Sequence, residues 1–270
     1  MQSLERLSGL PIALDDKGRL VFGEDVLVED HGEQLLEALA GVMLAPEACR
    51  GSREVAYYMD NGVYLRQHAE RLAGVPMRYE LTLIPPRRVG REYIKTHGHR
   101  HLPDPRTGLE PPEICEVLLG TAHFLFQTLD PAGPSATFAL CVEVGPGQKV
   151  VFPPGFDHCT INPGPEPVLF SDVVALGVRG DYSRFVAAHG AAYLEVEEGG
   201  RPVFIPNPAY RALPPLRWAQ ARQYPALRLT DDVPLYTAFV EGRGAGWEFL
   251  NDPRAFWEQF PELKADFGLE

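Results

Sequence analysis

From Tyr57 onward the chain is a succession of short segments rich in β-branched, aromatic and aliphatic residues, each cut off by Pro or Gly: YELTLIP, EYIKTHGH, EICEVLLG, AHFLFQTL, FALCVEV, QKVVFP, HCTINPG and PVLFSDVVAL. That texture marks antiparallel strands and their turns. About eight strands in series, with no long helix between them, bury their apolar faces against one another as a sandwich or barrel. No internal repeat is visible, which disfavours a duplicated barrel.

The flanks read differently. In residues 32–44, GEQLLEALAGVML, the spacing of Leu36, Leu39 and Met43 predicts a surface helix that packs by one apolar face. After about Glu195 comes RPVFIPNPAYRALPPLR, whose prolines fix φ and remove backbone donors, so an extended strap is expected. Asp252-Pro253 supplies an N-cap and first turn for a short C-terminal helix whose Phe256, Trp257 and Phe260 pack. The expected organisation is an N-terminal extension with an amphipathic helix over residues 1–55, a barrel over 56–195, and a Pro-rich strap with a C-terminal helical extension over 196–270.

With 25 Lys and Arg against 37 Asp and Glu, the net charge of −12 repels polyphosphate backbones, so no nucleic-acid partner is expected. No apolar run reaches the roughly 18 residues of a spanning helix, and MQSLERLSGL lacks the pattern of a secretion signal; a cytoplasmic protein with no membrane association is expected. Cys49, Cys115, Cys141 and Cys159 are widely spaced without a C-x-x-C, which fits buried thiols rather than a zinc ribbon or redox motif.

The chemistry concentrates in three stretches. In THGHRH, His99 and His101 are two apart and share a strand face, as does His97 unless the turn at Gly98 breaks the alternation. Imidazole suits zinc, copper, iron and nickel, and a carboxylate beside it shifts preference toward harder ions such as iron(II) or manganese. EICEVLLG contributes Glu113, followed after six residues by Gly120, and GQKVVFPPGFDHCTIN contributes His158, delivered by a turn through Pro153 and Gly155.

These stretches resemble the two motifs of the cupin superfamily: H-x-H then a Glu, six residues and a Gly, and later G-x5-P-x-G-x2-H-x3-N, which Gly147, Pro153, Gly155, His158 and Asn162 fill. The first motif departs from the usual one by the longer loop LPDPRTGLEPP, an insertion that a barrel mouth tolerates at small thermodynamic cost. The resemblance implies a mainly β, jelly-roll-like antiparallel barrel holding one divalent metal ion per subunit through His99, His101, Glu113 and His158. Iron(II) comes first among the candidates, with manganese, nickel and zinc behind it.

The wider stretch from about Tyr57 to Tyr182 is similar to the cupin-type glucose-6-phosphate isomerases. That resemblance implies a homodimeric, metal-dependent aldose–ketose isomerase acting on a sugar phosphate. Thr82, Thr96 and Gly98 would hold the phosphate, Tyr182 would contribute to the sugar pocket, and Glu113 and His158 would stand at the reacting centre. The chain departs from the family's pattern at Cys115 and Ala175, where tyrosines are common, and at His97, which replaces a lysine. An imidazole substitutes for that cation only when protonated, which is partial at neutral pH given an unperturbed pKa of ~6.5. The same ligands would also suit an iron(II) dioxygenase, with Phe124, Phe126 and Phe152 as low-polarity neighbours, or a non-catalytic sugar-phosphate sensor.

Overall fold

The computed structural model describes residues 1–130 and 135–269. Strands β1 (Val26–Leu35), β2 (Val55–Leu65), β3 (Met77–Ile84), β4 (Glu113–Leu119), β5 (Ala122–Leu129), β6 (Ala136–Val144), β7 (Lys149–Phe152), β8 (Asp157–Ile161), β9 (Val168–Ala175) and β10 (Arg217–Gln220) form two sheets. The larger runs β7-β4-β9-β3-β2-β1 with every pair antiparallel. The smaller runs β8-β5-β6-β10, with β10 parallel to β6. From β4 to β9 the chain passes repeatedly between the sheets, which is the winding of a jelly roll, and the result is a cupin-type barrel. Between the sheets, Phe152 meets Phe126 and Phe124 edge-to-face at 4.7 and 5.2 Å, and Phe124 meets Phe170 at 5.7 Å. Such T-shaped contacts add to the burial of large rings.

EYIKTHGH is not one continuous strand. Only Glu92–Tyr93 and Arg100–His101 are regular, and the residues between reach the edge of β8 through bridges from Lys95 to Ile161 and from His99 to His158. The break falls at Gly98, whose φ of +81° lies in the left-handed region that a β-strand cannot continue through.

The flanks differ from the expected division. The predicted helix over residues 32–44 is extended through Leu35, and only Leu36–Val42 turns helical, as a 3-10 helix that buries Leu36, Leu39 and Val42. Pairing of β1 with β2 along almost its whole length overrides the helical spacing. The first 55 residues are thus no mere appendage, because β1 is an edge strand of the larger sheet. Likewise the Pro-rich strap begins as a hairpin, Tyr193–Glu198 with Arg201–Pro206, whose two prolines sit on an edge strand, and it later supplies β10.

The C-terminal region covers the outer face of the larger sheet. Helix α1 (Leu235–Gly242), not expected from the sequence, places Tyr236 against the outward Tyr79 at 5.3 Å, while the Leu65 amide donates to the Tyr236 hydroxyl at 2.8 Å. Beneath it the buried Lys149 ammonium donates to Glu116 at 2.6 Å and to the carbonyls of Gly147 and Thr230, and the Leu235 amide donates to the other Glu116 oxygen. Asp252 caps the turn Pro253–Ala255 by accepting from the Arg254 amide, and Phe256 and Phe260 pack on Phe249. Among the described residues no helix is long and apolar enough to cross a membrane.

Candidate metal centre and its cavity

Three imidazoles meet inside the barrel. His99 and His101 arrive on the segment beside β8 and His158 on β8 itself, and their ligand atoms all lie within 4.8 Å of one another. Reciprocal backbone hydrogen bonds tie two of them together, the His99 amide to the His158 carbonyl at 3.0 Å and the His158 amide to the His99 carbonyl at 2.8 Å. Glu113 opens β4 at the edge of this group, with Oε2 at 3.4 Å from His101 Nε2 and 3.9 Å from His158 Nε2.

The donor set fits a divalent metal ion. His158 Nε2 is buried without a hydrogen-bond partner, a state that is costly unless something occupies its lone pair. His101 Nδ1 lies 2.7 Å from the Pro111 carbonyl, so it carries the proton and leaves Nε2 with its lone pair toward the centre. Pro111 belongs to the inserted loop, which is anchored by a two-oxygen hydrogen bond from Arg100 Nε to Glu110 at 2.7 Å. The insertion thus orients a candidate ligand. Burial holds all three imidazoles neutral: it pulls His99 down to about 3, with the neighbouring His101 and His97 adding to the effect, and it lowers His101 and His158 as well. Neutral imidazole is the form that coordinates metal. Burial pushes Glu113 up to about 7, although the Cys115 thiol donates to its Oε1 at 2.8 Å.

The turn ahead of β8 explains the second motif. Gly155 has a φ of +92°, and Asn162 is fully buried, with its side-chain amide donating to the carbonyls of Ile84 and Glu166. Asn162 therefore closes the strand end rather than facing the centre.

The metal centre opens into a cavity of about 260 Å³ that also receives Thr82, Thr96, Gly98 and Tyr182. Thr82 faces inward from β3 and is buried. Thr96 accepts the Thr160 amide at 3.0 Å, so its hydroxyl proton is left for another acceptor. Tyr182 is half-exposed at the mouth, its ring 5.2 Å from His97 and 5.3 Å from His99. His97 lines the cavity as well, but burial lowers its pKa, so it does not replace a lysine cation. Ala175 is outside the pocket: β-strand alternation turns Val174 inward instead. Cys115 lies on Glu113's face and is fully buried, and burial raises its thiol pKa so that it remains a hydrogen-bond donor.

Sequence reasoning missed part of this wall. Tyr57, whose hydroxyl lies 3.4 Å from the His97 amide, lines the cavity together with Asn61, Arg78, Glu80 and Asp172. The available signal was strand phase, since Arg78 and Glu80 precede Thr82 by four and two residues on β3.

A jelly-roll barrel with three imidazoles and a carboxylate converging on one cavity defines a cupin whose donor set fits a metal ion. The family model described as glucose-6-phosphate isomerase (GPI) matches residues 34–206. The chain belongs to that glucose-6-phosphate isomerase family. Relatives include the glucose-6-phosphate isomerase of Thermococcus onnurineus (strain NA1), 32% identical over 136 residues that make up 50% of this chain and 66% of that protein. That of Pyrococcus furiosus is 30% identical over 135 residues, 50% of this chain and 65% of the relative. The chain thus spans just under two thirds of the length of these relatives. A solved structure of a single-residue variant of the Bacillus subtilis oxalate decarboxylase overlaps 57% of this chain and 29% of its own at 13% identity and a TM-score of 0.32, too slight a likeness for its chemistry to bear on this site.

Proposed function

We propose that the protein is a metal-dependent aldose–ketose isomerase that interconverts glucose 6-phosphate and fructose 6-phosphate. The observation that supports this most is the convergence of His99, His101, His158 and Glu113 on a cavity also lined by Thr82, Thr96, Gly98 and Tyr182, in a chain of this family. In this reading His99, His101, Glu113 and His158 hold one divalent ion, iron(II) first, with manganese, nickel or zinc as substitutes. The protein acts as a two-fold dimer in the cytoplasm.

A bound divalent ion supplies Lewis-acid polarisation of the sugar's carbonyl and the neighbouring hydroxyl. The chain's own residues do the rest. Thr82 and Thr96 hydroxyls and the Gly98 amide receive the phosphate, and Tyr182 closes over the sugar at the mouth. Glu113 accepts the proton leaving C2 of the aldose and returns it to C1 while the proton of the C2 hydroxyl passes to the C1 oxygen, which converts aldehyde to ketone with no net gain or loss of atoms. The Cys115 thiol holds the Glu113 carboxylate in place for that transfer.

The test is to strip the protein of metal, reload it separately with iron(II), manganese, nickel or zinc, and follow fructose 6-phosphate to glucose 6-phosphate under nitrogen. Turnover restored by metal, with both turnover and metal content lost in His158→Ala, is the expected result. Silence with every metal despite correct loading would refute it, and activity that requires oxygen would move the assignment to a dioxygenase.

A further inference from the structure

The wall of the cavity away from the three imidazoles carries a row of polar side chains at registered cross-strand positions. Cys115 on β4 lies opposite Asp172 on β9, Asp172 opposite Glu80 on β3, and Glu80 opposite Asn61 on β2. The next inward pair on one side is Arg78 with Val174, at the level of Glu113, and on the other side it is Thr82 with Phe170. The Glu80–Asp172 row therefore lies between the level of the metal-side carboxylate and the level of Thr82. Successive inward positions on a strand are about 7 Å apart, a distance spanned by several carbons of an extended chain.

These side chains do not resemble structural filler. Asp172 is buried, and Glu80 is mostly so. Burial of carboxyl groups is costly where an apolar pair would pack, and apolar residues occupy the neighbouring positions Phe170 and Val174. Arg78 and Glu80 are in ion-pair contact, and the Glu80 and Asp172 carboxyl groups are hydrogen-bonded to each other. All three residues line the same cavity as the unpartnered His158 Nε2.

We propose that Glu80 and Asp172, braced by Arg78, form a specificity subsite that binds the middle hydroxyls of the substrate's open carbon chain. The proposal rests on the isomerase reading for its orientation: C1 and C2 at the Glu113 level, phosphate at Thr82, and the hydroxyls of C3 to C5 against the row between. Carboxyl groups both accept hydrogen bonds from hydroxyls and, where protonated, donate to them, which suits a row of sugar hydroxyls.

The experiment is calorimetric binding to the metal-loaded full chain with two probes. Glucitol 6-phosphate keeps every hydroxyl and has no carbonyl, and hexyl phosphate keeps the phosphate and has no hydroxyls. Wild type should prefer the polyol. Glu80→Ala and Asp172→Ala should each weaken glucitol 6-phosphate about tenfold or more while leaving hexyl phosphate within about threefold, as expected for loss of a buried hydrogen bond. Glu80→Met and Asp172→Leu, which fill the space without a hydrogen-bonding oxygen, carry the same comparison if an alanine variant fails to fold. Equal losses for both probes, unchanged polyol affinity, or no wild-type preference for the polyol would overturn the subsite. Selective polyol binding in a protein that does not turn over fructose 6-phosphate would support the subsite and refute the isomerase reading alone.

Discussion

Gly98→Ala separates the backbone requirement at the metal centre from any role of Gly98 toward a ligand. Gly98 has a φ of +81°, and a Cβ built there would lie 2.5, 2.7 and 2.8 Å from the Cε1, Cδ1 and Cζ atoms of Phe185. Phe185 is fully buried in the short helix Ser183–Ala187 and has no free direction in which to swing. Holding alanine in the left-handed region costs about 1–3 kcal/mol, and forcing an extra methyl against a packed ring costs about another 1–3 kcal/mol. The expected destabilisation is therefore about 2–6 kcal/mol, read as a shift of the urea midpoint at constant slope. Because His99 follows Gly98 and is bonded in both directions to His158, metal affinity, measured by chelator competition, should fall with it. The two contributions can be told apart. In a Phe185→Leu background the steric part is relieved, so Gly98→Ala should cost about 1–3 kcal/mol less there, while the backbone part persists. A Gly98→Ala protein within about 0.5 kcal/mol of wild type, or a double variant whose effects simply add, would refute this account.

Lys149→Met should strand the Glu116 carboxyl beneath the C-terminal segment and destabilise the fold by about 3–5 kcal/mol, whereas Lys149→Met with Glu116→Leu should recover much of that loss; a cost below about 1 kcal/mol for the single variant would show that the pair is not the tie it looks like. His123 gives a pH-dependent prediction. Burial alone would lower its pKa, but the hydrogen bonds and charges of Glu195 and Glu143 outweigh burial and raise it above the ordinary 6.5. A raised imidazole binds more proton in the folded state, so its contribution is fully present below pH 6.5 and is lost as pH rises through the folded value. Urea-unfolding free energy should therefore fall more steeply above pH 6.5 in wild type than in His123→Asn, and parallel curves would remove the effect.

What was legible in the sequence was local. His99 and His101 sit within one short segment, so spacing places them together, whereas their meeting with His158 and Glu113 was implied by the resemblance to the cupin motifs and is achieved by the pairing of His99 with His158. The helix expected over residues 32–44 failed because helical spacing is a local signal, whereas β1 is held by pairing with β2 from beyond a 19-residue gap. The cavity wall was invisible for the same reason. Asn61, Glu80, Cys115 and Asp172 are scattered over more than a hundred residues, and only the cross-strand register places them in one row.

Phase carries that information once a single inward residue is fixed. With Thr82 inward, Glu80 and Arg78 must follow on the same face, and with Phe170 inward so must Asp172 and Val174. A shift of one residue reverses the assignment, which is why Val174 occupies the pocket position expected for Ala175. The motif residues bear on whether a metal can be held, whereas residues two and four positions from Thr82 decide what else fits in the cavity. Changes at Arg78, Glu80 and Asp172 should thus alter ligand preference while leaving the three-imidazole centre able to load metal, and changes at His99, His101 or His158 should abolish loading whatever the probe.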